Sequence, residues 1–137
     1  MDLLIDTNII IDILQDRPQF VENSARIING IKNKEFKGII AAHSLTNLWY
    51  ILRKTHSQEA RRDLILSLLG FLEVATLSGQ KIKNALLRYD FSDFEDCLQD
   101  ECAAEFCADY IITRNPKDFA NSKVQALTPE EFLKLRI

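Results

Sequence analysis

No part of this 137-residue chain approaches the roughly 20 consecutive apolar residues of a membrane-spanning helix, so a membrane protein of that type is excluded. The apolar stretch from Leu3 to Leu14 is broken by Asp6, Asn8 and Asp12 and has no basic start, which argues against a secretory signal and makes the cytoplasm the expected location. A basic excess is also lacking. Lys and Arg number 17 against 20 Asp and Glu, and a net charge of -3 excludes a protein that coats nucleic acid by charge alone, although not one that grips a short stretch locally. The three cysteines, Cys97, Cys102 and Cys107, are odd in number, and steps of five turn a helix by roughly 140° from overlap. Without a paired Cys/His spacing they read as small buried residues in a reducing compartment rather than a metal centre. Repeats and linkers are absent as well, so residues 1–137 are read as one domain. A domain of this size buries about two thirds of its unfolded surface and needs no metal for stability, so any metal it binds is functional.

What is present is an alternation of apolar runs and helix-like stripes. Leu3 to Ile5, Phe36 to Ala42, Leu72 to Leu77, Tyr110 to Thr113 and Val124 to Leu127 read as strands. Between them lie helical stretches: one from Ile9 to Leu14, one with apolar residues at Val21, Ala25, Ile28 and Ile31, and one starting near Ser44. Further helices are expected from Ser57 to Leu69, from Lys81 to Tyr89, and from Ser92 to about Cys107. Gly70 is the expected stop of the Ser57 helix and Ser78 a cap of the next; Ser92 and Glu95 have capping-box spacing. Thr128-Pro129-Glu130-Glu131 opens a last helix with proline at its first position. Alternating strands and helices predict an α/β fold, a three-layer α/β/α sandwich around a central parallel sheet of four to five strands.

Each buried strand ends in polar residues: Asp6-Thr7-Asn8, His43-Ser44 with Asn47 beyond, and Thr113-Arg114-Asn115 with Asp118 beyond. The carboxyl edge of a parallel sheet is where a binding site forms, and a pocket with several carboxylates most simply holds a divalent cation. Each residue also has a structural reading. Asp6 suits a helix N-cap, yet Thr7 and Asn8 could cap as well. Asp93 and Asp96 suit the positive end of a helix dipole, and Asp96 is the one expected to point inward. Asn115-Pro116 is an ordinary turn signal, Asp118 suits the cap of a short turn, and Asp12 reads as solvated surface.

Four segments together resemble the PIN domain, the metal-dependent nuclease fold of many prokaryotic toxin–antitoxin toxins. They are Leu4 to Asp12, Ser44 to Leu52, Asp93 to Gln99, and Ala108 to Phe119. The resemblance implies that Asp6 and Asp96 are the main ligands of Mg²⁺ or Mn²⁺, with Asn115 or Asp118 at the last acidic position. It places Asn47 where most active members carry glutamate, one negative charge fewer. It also implies RNA as substrate, with Thr7, Asn8, Ser44, Thr113, Arg114 and Lys117 around it, a small antitoxin as partner, and a homodimer. Arg53-Lys54 and Arg61-Arg62 read as a solvated helix face rather than an RNA track. An RNA- or protein-binding module without catalysis is the alternative that Asn47 raises. A phosphoacceptor domain fits less well, because position 8 is Asn where a dehalogenase pattern needs Asp.

Overall fold

The computed structural model describes residues 1–135. Five parallel strands, β1 (Asp2–Ile5), β2 (Lys37–Ala41), β3 (Leu72–Ala75), β4 (Tyr110–Ile112) and β5 (Ala126–Leu127), form one sheet in the order β3-β2-β1-β4-β5. Among the described residues seven α-helices connect and cover them: α1 (Thr7–Leu14), α2 (Val21–Lys32), α3 (Ala42–Ile51), α4 (Gln58–Leu69), α5 (Gly79–Leu86), α6 (Phe94–Glu105) and α7 (Pro129–Leu135). The expected three-layer α/β sandwich is the fold observed. Among the described residues no helix is long and apolar enough to cross a membrane.

Strand alternation builds the layers. Leu3 and Ile5 of β1, Ile40 of β2 and Ile112 of β4 face one core, which Ile9, Ile27, Ile31, Leu48, Leu68 and Phe132 from five helices complete. Leu4, Ile39, Ala41 and Ile111 face the other, against Cys102 and Ala103 of α6. Leu68 belongs to the first core, and Leu64 and Phe71 pack partly buried against it.

Element ends follow local chemistry. Ser57 and Ser78 accept from the amides of Ala60 and Lys81, and Gly70 closes α4. Thr128 and Glu131 cap reciprocally, with Thr128 Oγ1 accepting from the Glu131 amide and Glu131 Oε1 from the Thr128 amide. Three expectations are corrected. Helix α3 starts at Ala42 rather than Ser44, because the chain turns directly after β2. Helix α6 is capped by Asp93, whose Oδ1 accepts from the Asp96 amide at 2.9 Å, so the Ser92–Glu95 box does not form. Of the three free cysteines Cys97 and Cys102 are buried, but Cys107 is exposed and left-handed at φ 54°, where α6 ends.

Gly30 of α2 sits where the Phe36 ring crosses the helix: a Cβ there would stand 2.8 Å from Phe36 Cδ2. That ring is buried and packs edge-on against Phe132 at 5.2 Å, so it has little room to yield. Gly30→Ala is expected to destabilise the protein by about 1–3 kcal/mol through overpacking, read as a lower urea midpoint at unchanged slope. An unchanged midpoint would mean that the Phe36 pocket relaxes freely.

Candidate functional site

The sheet order reverses direction at β1: β2 and β3 lie on one side of it, β4 and β5 on the other. In a parallel sheet the two connections leaving such a point diverge and open a crevice at the carboxyl ends of the strands. Asp6 and Thr113 extend the β1 and β4 ladders by one residue, the Asp6 amide donating to Ile112 O and the Thr113 amide to Leu127 O. Because Ile5 and Ile112 face the first core, alternation turns Asp6 and Thr113 towards α6.

Asp6 occupies the N-cap position of α1, yet its side chain makes no capping bond. Instead Oδ1 accepts from Gln99 Nε2 at 3.0 Å and Oδ2 from Thr113 Oγ1 at 2.7 Å, with only 7% of the residue exposed. One carboxylate thus ties β1, β4 and α6 together. Gln99 Nε2 also lies 3.5 Å from Asp96 Oδ1, so one amide bridges the two acids. Gln99 Oε1 is buried and accepts nothing among the described residues.

Asp6, Thr7, Asn8, His43, Asn47, Glu95, Asp96, Gln99 and Asp118 line one cleft of about 220 Å³, completed by Ile11 and Ile51. Burial, followed by the charges of Asp93, Asp6 and Asp118, pushes the Asp96 carboxyl up to about 7, with the Gln99 bond opposing. Burial likewise lowers the pKa of His43, whose Nε2 donates to Glu95 O at 3.1 Å.

The remaining expected residues lie elsewhere in the structure. Asn115 lies outside the cleft lining, whereas Asp118, carried by the 3-10 turn Pro116–Phe119, is part of it. Ser44 is fully buried and outside the lining, without a partner for its hydroxyl among the described residues. Thr113 is buried and held by Asp6. Lys117 is exposed and lines a separate depression beside Asp90 and Ser92. Arg114 donates its amide to Asn8 Oδ1 and its guanidinium to Asp12 Oδ1 at 2.6 Å. Asp12 is therefore not solvated surface: it is fully buried between Arg114 and Arg17, one turn beyond Asn8 on the same helix face. Arg53 and Arg61 fold back onto the carbonyls of Tyr50 and Trp49.

Glu95 and Gln99 are not among the expected site residues, and His43 is expected only as part of a polar strand end. Gln99 follows Asp96 by three positions, a spacing that puts both on one helix face and offered a usable signal. Glu95 was obscured by its capping-box spacing, and His43 by its ordinary place at a strand end.

Among the described residues no three His, Cys, Asp or Glu side chains are already closed around one point. Mg²⁺ does not need such a cage: it keeps several waters and takes one or two carboxylates. Asp6 and Asp96, bridged by one amide whose buried oxygen lacks a partner, form a hard-oxygen donor set that fits such an ion.

Fold and site together define a parallel α/β domain with an acidic cleft at the point where its strand order reverses. The PIN domain model matches residues 2–117, and the chain belongs to the PIN domain family. It is 29% identical over 135 residues to Ribonuclease VapC1 of Aquifex aeolicus, spanning 95% of this chain and 92% of that one. Its fold matches VapBC2 from Rickettsia felis, solved bound to a DNA fragment from their promoter, at 20% identity and TM-score 0.71, covering 93% of this chain and 98% of that chain. VapBC-1 from nontypeable Haemophilus influenzae matches at 19% identity and TM-score 0.71, covering 95% and 99%.

A carboxyl whose pKa rises from 3.8 to about 7 on folding binds more protons folded than unfolded, so it lowers stability as pH climbs through that window. Without divalent cations, Asp96→Asn is expected to raise the melting temperature near about pH 8, a gain that shrinks towards about pH 4. Scanning calorimetry in EDTA would check it; a loss at high pH would show that the charged carboxylate stabilises the fold.

Proposed function

We propose that this protein is a Mg²⁺- or Mn²⁺-dependent endoribonuclease, the toxin of a toxin–antitoxin pair, acting as a single domain in the cytoplasm. The observation that carries this reading is that Asp6 leaves its helix amides uncapped and turns with Asp96 and Asp118 into one cleft. The name of the Aquifex relative, Ribonuclease VapC1, supports RNA as the substrate. A small antitoxin is the proposed partner, supported by the similarity to a toxin–antitoxin complex from Klebsiella pneumoniae, and a homodimer is the assembly implied by the family.

In this reading Asp6 and Asp96 would hold the cation, and the unpartnered Gln99 Oε1 is a neutral oxygen beside them. When bound, the cation supplies charge that polarises a phosphodiester and makes a water more acidic. Gln99 and Thr113 fix the orientation of Asp6, so its carboxylate needs no rearrangement. Asp118 lines the same cleft, as Asn115 does not, and takes the last acidic position in this reading. Thr7 and Asn8, at the start of α1, line the cleft a phosphate would enter, and exposed Lys117, next in sequence to Asp118, is the cation that would attract it. Arg114 and Thr113 act through position, since both are engaged by Asp12 and Asp6. Ser44, fully buried outside the cleft lining, is not a substrate contact in this reading.

Asn47 favours a second reading, an RNA- or protein-binding module without turnover. One assay separates the two: incubation of a mixed, structured RNA with Mn²⁺, Mg²⁺ or EDTA, alongside Asp96→Asn. Cleavage that needs the cation and falls to background in the variant is expected. RNA retention without cleavage at saturating Mn²⁺ would replace the nuclease with the binding module.

A further inference from the structure

Helix α3 holds one residue of α6 at two points. His43 Nε2 donates to the main-chain carbonyl of Glu95 at 3.1 Å, and Asn47 Nδ2 donates to its Oε2 at 3.1 Å. His43 and Asn47 are four residues apart, one turn on the same face of α3, so the helix grips both the backbone and the side chain of Glu95. All three line the cleft with Asp6, Asp96, Gln99 and Asp118. An exposed glutamate at the start of a helix is normally free to sample several rotamers, and only a specific arrangement fixes it.

We propose that Glu95 is a cation-holding carboxylate of this cleft, kept in place by Asn47 and His43, that serves the same divalent ion as Asp6 and Asp96 through the ion's water shell. The inference rests on the cation-dependent reading above and deepens it. It also accounts for the amide at position 47. A carboxylate there would stand about 3 Å from Glu95, and two like charges at that distance oppose each other, whereas an amide donates and leaves the remaining Glu95 lone pairs for the ion's waters. Negative charge is thus moved from α3 to α6 and not lost. Asn47 and His43 are positioning residues: each acts through Glu95.

The test is calorimetric titration with Mn²⁺ alone on the wild-type chain, Glu95→Gln, Asp96→Asn and the double variant Asn47→Glu/Glu95→Gln, with melting in EDTA as a control for folding. Glu95→Gln is expected to bind Mn²⁺ about tenfold more weakly while melting as the wild type does, because the side chain is exposed. The double variant returns a carboxylate to the same corner and is expected to recover most of the lost affinity. Wild-type affinity in Glu95→Gln, with binding abolished in Asp96→Asn, overturns the role of Glu95 and leaves the cation site standing. Absence of Mn²⁺ binding in the wild-type chain overturns both.

Discussion

The structure depends on a buried carboxylate at the point where a parallel sheet reverses its strand order. Asp6 stands at the end of β1 with both oxygens committed, one to Gln99 of α6 and one to Thr113 after β4. A buried carboxylate is tolerated only when hydrogen-bonded or paired, so the positions of α6 and the β4 loop are set by what Asp6 requires. The second acid, Asp96, cannot join the first without cost. Its raised pKa reflects burial and the neighbouring Asp93, Asp6 and Asp118, a repulsion that a divalent cation would relieve.

Around this centre the charged residues divide into two groups. Arg17 and Arg114 converge on the buried Asp12 and anchor α1 to the β4 loop, and Arg88, just beyond α5, joins Asp100 and Glu101 of α6, with Lys123 on Glu101. In both of these clusters every acid has a cation partner, so their charge is spent on the scaffold. Asp6, Asp96, Glu95 and Asp118 have no cation partner among the described residues and face a common space. Paired charge supports the scaffold, while unpaired charge of one sign is concentrated where a cation would bind.

Much of this was legible in the sequence. Apolar runs of three to five residues ending in polar clusters marked the strands and their functional edge, and the segments around Asp6, Asp96 and Asp118 carried the family resemblance. What could not be read were the contacts between segments distant along the chain. Asp12 looks like a solvated helix residue until Arg114, 102 positions away, is seen to cover it. Glu95 looks like part of a capping box, because Ser92 stands at the right spacing, yet Asp93 takes the cap and frees Glu95 to reach Asn47. Ser44 and Asn47 appear as one polar cluster, but a helical turn buries the first and presents the second.

The most direct test of the central claim is anomalous diffraction from crystals of this protein soaked in Mn²⁺. The account predicts a peak in the cleft beside the carboxylates of Asp6 and Asp96. Saturating Mn²⁺ with no peak there, and with Gln99 still bridging the two acids, would contradict it.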